Sequence, residues 1–211
     1  RSRLPHVAAA VAMRRRLDWP GALAGGMACL AVVALPLVLA KANRVMPGLP
    51  IGWFDALPRP LAIGLLAVLL VVAIVAALCT GALPRLAAAL MGCASLLLGL
   101  GRAAAHLAAP SDTVMRIAPG AGFWLAMVAL GILLADAVAR LKAGVWSRMG
   151  LLALVLTALG LLFHSGALQS LSILREYTVN SDRFWSELLR HIVLCALPVL
   201  AALVVAVPLA I

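Results

Sequence analysis

Six predominantly apolar stretches of about twenty residues dominate this chain: 19–40, 60–82, 86–107, 119–139, 150–168 and 191–211. A helix needs about 20 apolar residues to cross roughly 30 Å of hydrocarbon, so each stretch is long enough to span a bilayer. Within hydrocarbon every backbone N–H and C=O must be paired inside the structure, which admits only helices and closed barrels. The stretches are long and Leu/Ala/Val-rich rather than short and alternating, and that selects helices. With 65% hydrophobic and 11% charged residues and a mean hydropathy of +1.15, a soluble domain is excluded. The expected fold class is all-α: a polytopic membrane helix bundle of about six transmembrane helices plus one short amphipathic surface helix.

The formal charge of +10 does not point to nucleic acid. The basic residues sit singly or in small groups between apolar runs, where membrane topology requires them, and no basic stripe with interleaved aromatics is present. Cys29, Cys79, Cys93 and Cys195 fall inside apolar runs with no close pair that could form a metal or redox motif. Arg14, Arg15 and Arg16 precede an apolar stretch too long for a signal peptide, so the first helix is expected to remain as an anchor. Trp19, Trp53, Trp124, Trp146 and Trp185 lie at or just beyond the ends of runs, as interfacial rings do. Cytoplasmic loops carry an excess of Lys and Arg. Arg1, Arg3 and the Arg14–Arg16 cluster, with Arg85, Arg140, Lys142 and Arg148 on the same side, therefore predict a cytoplasmic N-terminus against Lys41, Arg44, Arg59, Arg116, Arg175, Arg183 and Arg190 outside.

Two segments between the runs carry content. Residues 41–59, rich in Pro and Gly, are expected to form an irregular external loop with Trp53 and Phe54 dipping into the interface. In 181–190, Phe184 with Leu188 and Trp185 with Leu189 stack at i,i+4, while Arg183, Glu187 and Arg190 stand opposite at ion-pairing spacings. This predicts a short amphipathic helix on the outer membrane surface, capped by Ser181 or Asp182. Gly21 with Gly25, and Ser95 with Gly99, have the small-residue spacing that permits close helix approach.

Ionisable residues within spans mark candidate sites because each costs a few kcal/mol to insert. Asp136 stands one turn from Arg140, and an interfacial ion pair of that kind predicts that Asp136→Asn costs about 1 kcal/mol or less; a transport role is the alternative. Arg102 and His106 share a helical face towards the outer half of the third run, with Arg102 expected to snorkel to the surface. His106 and His164 fall at a similar depth, an arrangement two-His haem ligation would need. No zinc-protease, nucleophile-elbow, phosphate-loop or dinucleotide motif occurs, so no catalytic residue, metal site or cofactor is expected.

Residues 174–211, LREYTVNSDRFWSELLRHIVLCALPVLAALVVAVPLAI, join a polar external strip, a Phe-Trp pair and a His at the membrane entry to a span interrupted by Pro198 and Pro208. This segment resembles the first core helix of the permease in binding-protein-dependent ABC importers of the osmoprotectant type, which carry glycine betaine and choline. Ala206, Pro208 and Leu209 match the family's A-x-P-L-G ending, with Ala210 in place of the Gly. Neither proline can donate to the carbonyl one turn back, so bends at Pro198 and Pro208 are expected.

The resemblance divides the chain into a five-helix membrane region (1–168), an external loop with the surface helix (169–190) and the first core helix (191–211). It implies a transport permease without chemistry of its own, in the bacterial inner membrane. Its partners would be membrane lipid, a cytoplasmic ATPase, an external substrate-binding protein and a second permease subunit, with Asp182, Arg183, Glu187 and Arg190 as candidate partner contacts. The family's remaining core helices and Glu-Ala-Ala coupling segment would follow Ile211, so the chain is expected to be part of a longer permease. A membrane scaffold or regulatory protein, and a haem- or quinone-binding subunit, are the alternatives.

Overall fold

The computed structural model of the protein describes residues 17–42, 47–108, 115–142 and 144–209. Arg1, Arg3, Arg14, Arg15, Arg16 and Arg44, which entered the orientation argument, lie outside the described residues, as do Ala210 and Ile211. The chain divides into two compact units, Arg1–Leu171 and Ser172–Ile211.

In the first unit, α1 (Trp19–Ala34) is capped by Asp18, whose carboxylate accepts the Gly21 N–H at 3.1 Å. The apolar run predicted a span continuing to residue 40. The helix instead stops at Ala34, because Pro36 forces the preceding residue out of the helical region, and Leu35 is extended at φ −117°, ψ 155°. The chain then enters β1 (Val38–Lys41), β2 (Leu49–Ile51) and the single turn α2 (Trp53–Ala56). Four membrane-length helices of this unit follow: α3 (Arg59–Leu78), α4 (Ala82–Leu107), α5 (Ala121–Arg140) and α6 (Val145–His164), with β3 (Arg116–Pro119) leading into α5. At 16 residues and 1.5 Å per residue, α1 is about 24 Å long, shorter than the others.

Helices α1, α3, α4 and α5 form a closed ring in which α1 packs on α3 and α5, and α4 packs on α3 and α5. The interior is built mainly of Ala with a few larger side chains: Ala24, Ala28, Ala76, Ala89, Ala126 and Ala129 are buried, as are Leu69, Val72, Leu96, Leu130 and Leu133. Small interfacial residues let helix backbones approach closely, and packing rather than hydrophobicity drives association in lipid. The expected Gly21/Gly25 contact is present: a Cβ on Gly25 would lie 2.6 Å from the Ala73 Cα, and one on Gly21 would overlap the Ala76 carbonyl.

Where it is described, the predicted irregular loop instead contributes to a three-stranded antiparallel sheet at one end of the ring, in the order β2-β1-β3. Val38 pairs with Ile51 on one side and Pro119 on the other, and Lys41 pairs with Arg116. Pro50 and Pro119 are tolerated because they lie on the two edge strands. The amides of Gly120 and Gly122 donate to the carbonyls of Leu37 and Pro36, tying the start of α5 to the end of α1. Trp53 is the correction to the interfacial reading. It is buried beneath this sheet end, 1% exposed, and its Nε1 donates to the Ala62 carbonyl at 3.0 Å. Phe54 and Trp124 remain exposed, as do Trp19 and Trp146 at the opposite end.

Helix α6 lies beside the ring with no buried residue. The turn after it is anchored: Leu168 and Leu171 are buried, and Gly101 on α4 leaves no room for a Cβ against the Ala167 carbonyl.

The second unit is one helix, α7 (Ser172–Leu209), kinked at Asn180, where φ −121° and ψ 24° leave the helical region. The stretch 181–190 is thus not a separate surface helix, since it runs without a break into the last span. Across the kink, Trp185 Nε1 donates to the Tyr177 hydroxyl at 3.0 Å, and Phe184 packs edge-on against both rings. Asn180 Nδ2 donates to the Glu176 carbonyl at 3.1 Å, so the side chain at the kink bonds back to the preceding turn.

Candidate functional site

The end of the ring opposite the sheet gathers the start of α1, the end of α3, the start of α4 and the end of α5. Asp136 and Arg140 form the predicted pair on α5, with Arg140 Nε donating to both carboxylate oxygens at 3.0 and 2.9 Å. The pair is not isolated. Arg85, counted in the sequence as a loop cation, lies in the first turn of α4 with its side chain fully buried, and its Nη2 is 2.7 Å from Asp136 Oδ2. Its Nη1 is 3.1 Å from Asp18 Oδ2, and Arg140 Nη2 closes the circuit to the same Asp18 oxygen at 2.8 Å. Two guanidiniums and two carboxylates thus alternate around the cluster, which carries no net charge.

Exposure grades across the cluster. Arg85 is inaccessible and Asp18 is 7% exposed, while Asp136 and Arg140 are 29% and 32% exposed. A fully buried guanidinium requires partners because its desolvation costs several kcal/mol. Arg85 finds further ones in backbone carbonyls at the end of α3: Nη1 donates to Ala76 at 2.7 Å and to Cys79 at 3.2 Å. Helix C-terminal carbonyls lack intrahelical donors and carry the negative end of the dipole, so a cation is well placed there. Nε and Nη2 have no aligned hydrogen-bond acceptor, so the Nη2 contact with Asp136 is coulombic rather than a directed bond. At Asp18, burial raises the carboxyl pKa, but the Gly21 amide and then the Arg85 and Arg140 charges outweigh it, and the group sits below its ordinary value of 3.8.

The other predicted residues are not part of this cluster. Arg102 and His106 are exposed on α4 near its sheet end, the placement snorkelling requires. His164 is exposed at the end of α6. On α7, Arg183 and Glu187 line a hollow with Asn180, Phe184, Leu188 and His191, and Asp182 and Arg190 are exposed. Among the described residues none of these four charged side chains is ion-paired. The backbone stays helical through Pro198, and Asn180 is the single non-helical position of α7. Among the described residues no three His, Cys, Asp or Glu side chains are placed to hold a metal ion.

Sequence reasoning missed Asp18 and Arg85 as members of the site. The usable signal was topological: alternate crossings bring the start of the first run, the second connection and the end of the fourth run to one face of the membrane. The four charges at those positions sum to zero.

Residues 18–174 match the family described as ABC transporter permease YehY, N-terminal domain. No curated protein and no solved structure compared with the chain matches it. The match opens on Asp18, takes in the whole ring with its sheet and α6, and ends just inside α7. Because it covers most of the sequence, the chain is a multi-pass membrane protein that belongs to the YehY N-terminal domain family of ABC transporter permeases.

Proposed function

We propose that the chain forms part of the membrane-spanning permease subunit of an ABC importer for osmoprotectants such as glycine betaine or choline, in the bacterial inner membrane with its N-terminus in the cytoplasm. The family match over 18–174 carries this reading. Residues 174–211, which follow it, have the layout of an osmoprotectant permease's first core helix. In this orientation the charge cluster lies at the cytoplasmic face and the sheet with Trp53 at the outer face. The permease alternates its access while a partner ATPase hydrolyses ATP, and an external binding protein delivers the solute. Asp182, Arg183, Glu187 and Arg190, all solvent-accessible on α7, serve as the docking charges for that protein. Charges of this kind chiefly set association rate.

Uptake of labelled glycine betaine and choline is the test, in cells lacking their own quaternary-amine importers and expressing the complete transporter that contains this chain. Energy-dependent accumulation of either solute is expected. Uptake of a different solute class in its place would remove the osmoprotectant assignment and leave the permease standing.

A further inference from the structure

Helix α6 is held at both ends and stands off the ring between them. Its far end is pinned through Leu168, Leu171 and Gly101, and its near end follows α5 through a short turn in which Lys142 takes a left-handed φ of 47°. Between these anchors only Leu151, Val155, Leu159 and Leu162, a single stripe at i,i+4 and i,i+3 spacing, are even half-buried. That stripe faces open space. Towards α4 lies a slot of about 470 Å³, bounded by Cys93, Ala94 and Leu97 opposite Val155, Ala158 and Leu162. Towards α5 lies a second of about 240 Å³, bounded by Leu134 and Val138 opposite Leu151 and Val155, with Arg148 at its mouth. Val155 lines both, so the two meet along the stripe.

We propose that this slot holds one anionic phospholipid from the leaflet on the charge-cluster side, its acyl chain between α6 and the ring and its headgroup at Arg148. Three observations select that occupant. The slot is too narrow for a helix: an α-helix about 11 Å across and as long as the slot occupies roughly 2000 Å³, whereas the larger hollow holds about 980 Å³ even counting the space open at its mouth. It is long enough for a single acyl chain, since Arg148 to Leu162 rises about 21 Å along α6 and one leaflet of a roughly 30 Å core is about 15 Å deep. The mouth is cationic and at headgroup level. Arg148 and Lys142 are exposed and have no ion-pair partner among the described residues, and Trp146 beside them is 83% exposed, as an interfacial ring is. Basic mouths between membrane helices are suited to anionic headgroups.

The test is native mass spectrometry of the complete transporter after reconstitution into equal parts phosphatidylethanolamine and phosphatidylglycerol and transfer to mild detergent. The wild type is expected to retain one phosphatidylglycerol per copy of this chain. Arg148→Gln, a change at an exposed position, keeps a lipid but loses about fivefold in preference for phosphatidylglycerol, the factor for about 1 kcal/mol per basic residue. Ala158→Phe, which fills the slot, displaces the lipid altogether, and unchanged helical circular dichroism shows that it remains folded. A wild type without bound lipid would overturn the proposal. So would equal retention in all three proteins, or a second copy of the chain in the lipid's place.

Discussion

Arg85, with no exposed side-chain surface, reaches Asp136 on a different helix at 2.7 Å, and the same guanidinium holds Asp18 at 3.1 Å. One cation therefore joins α1 and α5 while itself belonging to α4 and bonding the end of α3. All four helices of the ring converge on it.

Removing that cation should be the most damaging single change in the first unit. Arg85→Met leaves Asp18 and Asp136 sharing the single cation of Arg140, and breaking a buried pair costs about 3–5 kcal/mol. Denaturant titration of the solubilised protein, followed by circular dichroism, measures it. A loss below about 1 kcal/mol would mean that backbone packing alone closes this end.

The same geometry revises the expectation for Asp136. As an isolated pair with Arg140 it would tolerate Asn, but its loss also unbalances buried Arg85. Asp136→Asn should therefore cost about 2 kcal/mol or more, the order of magnitude for an ionic partner lost from a buried charge. A double-mutant cycle with Arg85→Met should return a coupling energy above about 1 kcal/mol, whereas independent sites would give additive costs.

Asp18 titrates below its ordinary value of 3.8 in the folded protein. A depressed carboxyl contributes stability that is present above the unfolded pKa and is lost as pH falls through the folded one. Acidification from about pH 6 to below about pH 4 should destabilise the wild type more than Asp18→Asn. Parallel pH profiles for the two proteins would show that Asp18 carries no such linkage.

At Gly25 the backbone of α1 meets Ala73 on α3 with no room for a Cβ. Gly25→Val should push the helices apart and cost about 1–3 kcal/mol, as overpacking does. Gly26, one residue along and facing open space, should accept Val with little change. Thermal denaturation of the two variants makes the comparison internally controlled.

Orientation is open to direct chemistry. In a background lacking the native cysteines, Ser147→Cys should be shielded from an impermeant thiol reagent in intact cells, while a cysteine at Leu49 in the sheet should label. Labelling at Ser147 in sealed cells would reverse the assigned orientation.

Helix positions were readable because membrane helices are specified by length and hydropathy, properties a sequence carries locally. Helix α5 begins and ends within two residues of its apolar run, and helix α3 begins one residue before its run and ends four short of it. Val38–Lys41 was not readable, since three apolar residues and a lysine after a long apolar helix have no signal of their own until Pro36 is given its weight. Trp53 misled for a similar reason: its position beyond a run fits an interfacial ring, and only the tertiary fold turns it inward onto Ala62. The charge cluster was half legible. Asp136 and Arg140 are one turn apart and announce themselves, whereas Asp18 and Arg85 meet them only through the ring. Family likeness shows a complementary pattern. The residues with readable motifs were 174–211, while the family match falls on 18–174, where the pattern is spread over Ala-rich helices and no short motif stands out.

The ring is stoppered at both mouths, by Trp53 under the sheet and by Arg85 within its circuit of carboxylates, and Leu69, Leu96 and Leu130 fill the barrel between. A solute threading its centre would have to unseat an indole at one door and strip a buried guanidinium of its counter-ions at the other. The centre of this ring is therefore built as masonry and not as a tunnel.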